Sequence, residues 1–307
     1  MTNKYTRATV QPEYHNQFWN LMQCKAADIG ILSKGESGGF ELPTPAANEL
    51  MNAITEESVF RKIATRIPVH SVDNHILAKN TTDIATFVPA GGAIPGLDGN
   101  ADFTILPVER HKLTAVIKIY TAFVLDAAFP FEHYLTERLG KNFGRAEDKG
   151  FITGTGIDEP TGILNVTGGA ETALTTSTLT YDDVFRLYHS VDKSYRKNAV
   201  WLMNDETALH LRTLKDDAGN YLWNAHDNTI LGKQIEISEH MPNIGAGAKP
   251  IAFGDFKYYW IVDRSAVFVK LIQELYAVTG LLAYLAYEFI DGKLIRKDAV
   301  KVIQITE

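Results

Sequence analysis

The stretch FVPAGGAIPGLDGNADF, from Phe87 to Phe103, constrains this chain more than any other. It holds four glycines, two prolines and no lysine or arginine, yet Phe, Val, Ile and Leu are scattered through it. Extended patterns flank it. His75–Val88 leads in, and Thr104–Val124 leads out, where Leu113, Ala115, Ile117 and Ile119 alternate with Thr114, Val116, Lys118 and Tyr120. The whole reads as a long hairpin whose Gly/Pro-rich tip exceeds ordinary hairpin loops. Two strands alone are marginal in water. Such a hairpin needs a surface, from either its own subunit or a neighbouring one.

Elsewhere the chain alternates helical and extended patterns. Tyr14, Phe18, Leu21 and Met22 share one helical face before KGESGGF breaks the pattern, so residues 1–40 read as an extension outside any core, either solvated or docked. A second helical pattern runs from Thr44 through Ala47, Leu50, Met51, Ile54 and Val59, with an exit at Pro68. The strongest helix is Asp126–Phe151, with Pro130 in its first turn and a stripe of Phe131, Tyr134, Leu135, Leu139, Phe143 and Ala146. From Thr180 to Val262, helices at Tyr181–Val191 and Asp205–Leu214 alternate with strands at Ala199–Met203, Gln234–Ile237 and Pro250–Gly254. Three β-rich runs close the chain, Ala266–Ile272, Tyr276–Phe289 and Ala299–Ile305, with Asp291–Gly292 as a tight turn between the last two.

Bulk properties and motifs exclude more than they suggest. At 307 residues and 45% hydrophobic content the composition is globular. A net charge of −7 argues against a general nucleic-acid binder but not against a container for nucleic acid. The single cysteine, Cys24, rules out an intrachain disulfide framework and suits a reducing cytosol. No apolar run approaches the ~18 residues of a membrane span, and MTNKYTRATV lacks the apolar centre of a secretory signal. GTGIDEPTG carries Glu159 where a dinucleotide fingerprint needs its third glycine, and a helix, not a strand, precedes it. Asp216 and Asp217 in LKDDAGNYLW lack calcium-loop spacing. The nine histidines are dispersed, and no zinc, P-loop or nucleophile-elbow motif occurs. No catalytic, cofactor-binding or metal-ligating residue is therefore assigned.

Several segments carry a resemblance when taken together and in order: SGGFELPTPAANELMNAITEESVFRKIAT (Ser37–Thr65), GTGIDEPTGIL (Gly154–Leu164), LMNDETALHLRTLKDDAGNYLW (Leu202–Trp223), GKQIEISEHMP (Gly232–Pro242) and IAFGDFKYYWIVDR (Ile251–Arg264). They resemble tailed-bacteriophage major capsid proteins of the Hong Kong 97-type fold over Ser37–Glu307. That resemblance implies an α+β fold. After the 1–40 extension come an N-arm (41–74), an extended E-loop hairpin (75–118) and a peripheral domain built on the long spine helix (119–175). An inserted axial α/β domain (176–265) and a return to the peripheral domain (266–307) complete it. It also implies a structural protein, not an enzyme, which self-assembles into pentamers and hexamers of an icosahedral shell around double-stranded DNA. The implied partners are other copies of the chain, a scaffold, a portal, a maturation protease and DNA held without sequence-specific contacts, with no membrane and no cofactor. The implied location is the virion, after assembly in the host cytoplasm.

Candidate intersubunit contacts are Phe87, Val88, Ile94, Leu97 and Phe103 in the tip, Arg110 at its base, and Phe40 and Leu42 before the second helix. In the type member an E-loop lysine joins an asparagine of the adjacent subunit, assisted by a buried glutamate. Here no lysine lies between Lys79 and Lys112, and Thr279 or Gly280 stands at the asparagine position, so no such crosslink is expected. The residues before Ser37 are fewer than the scaffolding region many members carry; Tyr5–Lys25 resembles its tail, or a separate scaffold is used. A cargo-enclosing compartment of the encapsulin type is the alternative on the same fold, and an α/β enzyme with an untyped site is the alternative from another class.

Overall fold

The computed structural model describes residues 9–68, 75–79, 103–215, 218–221, 223 and 229–306. In chain order, α1 (Pro12–Met22), β1 (Phe40–Glu41), α2 (Thr44–Glu57), α3 (Phe60–Ile63) and β2 (Thr65–Pro68) precede the hairpin strands β3 (His75–Lys79) and β4 (Phe103–Pro107). β5 (His111–Tyr120), α4 (Thr121–Leu125) and the long α5 (Phe131–Thr153) follow. Next come β6 (Glu171–Thr176), α6 (Tyr181–Ser190), α7 (Lys193–Arg196), β7 (Val200–Met203), α8 (Asp205–Thr213), β8 (Thr229–Ile230), β9 (Lys233–Ile237) and β10 (Ile251–Gly254). β11 (Tyr259–Asp263), β12 (Phe268–Ile272), β13 (Leu281–Leu294) and β14 (Val300–Ile305) end the chain.

Two six-stranded sheets organise these elements. In the first, β13 pairs with β5 and β12 along its first half and with β11 along its second, while β1 and β2 extend the sheet from β12 and β11. The second runs β6-β14-β10-β7-β9-β8. α5 lies against the first sheet, and an apolar layer of Phe60, Phe151, Tyr259, Ile290, Val300 and Val302 joins the first sheet to the second. The helix caps follow the sequence. Thr180 and Asp183 form a reciprocal capping box on α6, and Asn204 accepts from Thr207 N on α8.

α5 buries Phe131, Leu135, Leu139 and Phe143 as the apolar stripe predicts, but Ala146 is exposed and Glu147 and Asp148 are buried instead. Two glycines one turn apart explain how α2 comes so close. A Cβ on Gly140 would stand 2.6 Å from Ala53 Cβ and 2.9 Å from Leu50 O; one on Gly144 would stand 2.9 Å from Glu57 Cβ and 3.0 Å from Ile54 O. The helix backbones touch because those side chains are missing.

Four sequence expectations change. The extension is not outside a core: Tyr14, Phe18, Trp19 and Met22 of α1 are buried with α2, α5 and the first sheet. Tyr14 Oη donates to Glu41 O at 2.7 Å, Tyr284 Oη donates to Met22 O at 2.8 Å, and Trp19 meets Phe131 edge-on. The periodic face was read correctly, but not its partner. Likewise α2, in the span assigned to an N-arm, packs Ala46, Leu50 and Ile54 into its own subunit.

Second, Thr104–Val124 is not one strand. β4 pairs with β3, and β5 pairs with β13 in a different sheet. The break at 108–110 is held by Arg264 donating to the Val108 and Glu109 carbonyls and by Glu109 N donating to Asp291 Oδ2. Third, Asp291–Gly292 is no turn, because β13 runs through it paired with Val262 and Ile261. Gly292 serves close packing, since a Cβ there would stand 2.5 Å from Tyr259 Oη. The β13 run also starts later than Tyr276, after a 3-10 turn at Glu274–Thr279 and the left-handed Gly280. Fourth, β14 does not return to the first sheet but lies between β6 and β10 in the second, whereas β11, inside the 176–265 span, belongs to the first. Single-strand patterns do not encode the sheet they join.

Candidate functional site

The glycine loop after α5 is internally satisfied. Thr155 N and Oγ1 donate to Glu159 Oε1 at 2.9 and 3.0 Å, Asn165 Nδ2 donates to the Gly154 and Thr155 carbonyls, and Gly156 takes a left-handed φ of 78°. It is a structural turn. Among the described residues no group of three or more His, Cys, Asp or Glu could hold a metal ion, and no helix is long and apolar enough to cross a membrane.

The main buried polar construction ties five elements together. Arg61 of α3 donates Nε and Nη2 to Glu147 of α5 at 2.6 and 2.7 Å, and Nη2 to Asp263 at the end of β11 at 3.1 Å. Arg66 of β2 pairs with the same Asp263. Burial disfavours the Arg61 charge, but Glu147 and then Asp263 more than offset it, so its pKa rises. Glu288 of β13 faces this group. Burial, and then the Glu147 charge, push it well above the glutamate range; burial raises Glu147 too, but there Arg61 works against the rise. Of the two carboxyls, Glu288 is the one pushed further toward its protonated form, because Arg61 favours the charge on Glu147. One residue along α5, Asp148 accepts from Ser58 Oγ at 2.6 Å and from Val59 N and Phe60 N at 2.9 and 3.0 Å, capping the start of α3. Burial raises its pKa, and those three donors work against the rise. These groups fix α3 to α5 and the sheet; they present no nucleophile or open acid–base pair.

The surface shows the opposite chemistry. Val116, Tyr120, Phe123, Leu125, Leu275 and Val278 are all exposed, Val278 fully so, at 102%. All but Val116, which lies opposite Leu285 further along β5, belong to segments that meet at one end of the first sheet: Tyr120 pairs with Leu281, Thr121 N and Oγ1 both donate to Gly280 O at 3.0 Å, and Lys118 Nζ stands 4.2 Å from the Tyr276 ring centroid. β5 also has only one strand partner, β13, among the described residues, so no described strand covers its other edge. Leaving a large apolar side chain in water forgoes about 1.5–3 kcal/mol relative to burial, and an open edge offers unpaired backbone groups to another chain. An isolated subunit gains nothing from either.

A family model described as the phage capsid family matches residues 38–305. The chain belongs to the phage capsid family. Among solved structures, this capsid protein is similar to the capsid of an empty GTA particle computed with C5 symmetry, at TM-score 0.67 and 27% identity over 82% of this chain and 90% of that one. The capsid of the native GTA particle gives TM-score 0.65 and 26% identity over 81% and 90%. A structure from Gordonia phage Cozz shares the fold at TM-score 0.59 and 15% identity, over 82% and 87%. Among curated proteins, nothing matches. The chain is thus a major capsid protein, structural and not enzymatic, with the α+β Hong Kong 97-type fold; it self-assembles into a capsid shell and resides in the virion.

The residues singled out from sequence divide accordingly. Arg110 is exposed, paired with Glu36 at 3.0 Å and set 4.0 Å over the Phe289 ring. Phe40 is half-buried in β1, and Leu42 is buried in the capsid subunit's own core, so the Leu42 side chain is not on offer to a neighbour. Phe103 opens β4, while Phe87, Val88, Ile94 and Leu97 lie outside the described residues. The exposed apolar rim was missed. Its signal was present: Val116 and Tyr120 are large apolar residues on the outward phase of an alternating strand, and AFVL follows at once.

Proposed function

We propose that this capsid protein closes an icosahedral shell of pentamers and hexamers around double-stranded DNA, held by packing and without autocatalytic crosslinking. The observation that carries this reading is the rim of Val116, Tyr120, Phe123, Leu125, Leu275 and Val278 beside the open edge of β5, a surface made for another copy of the chain. The similar GTA capsids, computed with C5 symmetry, support fivefold vertices. Phe87, Val88, Ile94, Leu97 and Phe103 on the 75–118 segment, with Arg110 at its base, are further contacts on a neighbour. A net charge of −7 suits a wall along which DNA packs without adhering. A scaffold, a portal and a maturation protease complete the assembly in the host cytoplasm.

Electron microscopy of the overexpressed chain tests the shell: closed particles with fivefold and sixfold clusters are expected, and small discrete oligomers contradict it. Boiling the shells in denaturant tests the absence of crosslinks. A single band at 34.1 kDa is expected, and a ladder of covalent oligomers refutes that part.

A further inference from the structure

Within the second sheet, β7 and β9 run parallel, with Trp201 opposite Ile235 and Met203 opposite Ile237. The two ends of this strand pair carry opposite charge. At the N-terminal end, Lys193, Arg196, Lys197 and Lys233 surround an open concavity of about 740 Å3, floored by Tyr188. None of the four cations forms an ion pair among the described residues; Lys233 Nζ donates to Lys197 O, and Arg196 lies over the Tyr188 ring with its Nε lacking a partner. Asp192, just before α7, accepts from Ser194 N and Oγ, and the Arg196 charge adds to the pull that keeps it ionised. At the C-terminal end, Asp205 and Glu206 are exposed in the first turn of α8, Glu236 is half-buried, and Leu209 and Ile237 are exposed. A four-residue strand of roughly 13 Å separates the ends.

Four clustered cations with no ion pair among the described residues repel one another. Two complementary patches at opposite ends of one sheet cannot meet about a twofold axis through either, but they fit head to tail, the arrangement that closes rings. We propose that the basic concavity of one subunit receives the acidic Asp205–Glu206 end of the next around each ring. This rests on the proposed pentamers and hexamers. The occupant is a second copy rather than DNA, because the complement in charge, and an apolar margin to bury, are both present on the chain itself.

Charge reversal tests it on the full chain. Lys193→Glu with Lys197→Glu should lower the assembled fraction by about tenfold or more, as should Asp205→Lys with Glu206→Lys, since like charges then face each other. The chain carrying all four reversals should recover assembly, with its polarity swapped. If a reversed chain fails to fold, Lys193→Gln with Lys197→Gln replaces it and should weaken assembly most at low salt. Single reversals that assemble like the parent, or a fourfold variant no better than the single ones, overturn the proposal while parent shells still stand. Parent chains that form no shells overturn the ring reading instead. Duplex DNA binding lost in Lys193→Glu/Lys197→Glu, with assembly unchanged, also overturns it and makes the concavity a phosphate surface.

Discussion

The packing of α2 and α3 against α5, and the β5–α4 rim, use their residues in opposite ways. At the first, charged and polar groups are buried: Arg61, Glu147 and Asp148 find close partners, and glycines let the helices touch. At the second, apolar groups stand in water beside an unpaired strand edge. The first region is complete within one subunit. On the proposed reading the second is complete only when another subunit covers it, which separates what must hold before assembly from what must hold through it.

Substitutions can break this contrast. Arg61→Met should be the most damaging to the subunit, because Glu147 is left buried without its cation while Asp263 keeps only Arg66, at a cost of about 3–5 kcal/mol; urea unfolding measures it, and Arg61→Met with Glu147→Leu should recover most of the loss. Gly140→Leu forces a side chain into Ala53 and the Leu50 carbonyl and should cost about 3 kcal/mol, read by the same unfolding curve. A well-folded Gly140→Leu chain would mean that the two helices are not packed this closely.

Glu288→Gln has a pH-dependent effect. The folded state holds the Glu288 proton above about pH 4.3, where an unfolded glutamate loses it, so the parent loses stability as pH rises from there toward its raised native value. The glutamine cannot titrate. The variant should therefore gain on the parent with rising pH, by up to about 1.4 kcal/mol per pH unit, and match it near pH 4. Parallel stability curves would place the proton elsewhere. At the rim, Phe123→Ser with Val278→Ser should change subunit stability by no more than about 0.5 kcal/mol while abolishing shells in light scattering. Loss of the fold by this pair would put the rim inside the subunit.

The sequence was informative wherever a pattern depends on neighbours along the chain. The α5 stripe from Phe131 to Phe143, the alternation in β5 and the short strands β7, β9 and β10 lie where the sequence pattern puts them. It was silent where the decisive partner is distant. Nothing local says that Tyr14 and Trp19 will meet Phe131 and the Glu41 carbonyl, that β14 will leave the first sheet for the second, or that Gly292 is a packing gap and not a turn. Glu147 and Asp148 look like a solvated helical face until Arg61 and the start of α3 arrive from more than eighty residues away. The rim is the reverse case: Val116 and Tyr120 fall on the outward phase of β5, and nothing local says why large apolar side chains stand there.

Hydrogen exchange on unassembled subunits and on assembled shells tests this division most directly. Amides of α1, α2 and α5 should be protected in both states, while those on the open edge of β5, in Thr121–Leu125 and in Glu274–Gly280 should gain protection only in shells. Fast exchange through α1 and α2 in the free subunit, with no change along β5 on assembly, would contradict the account.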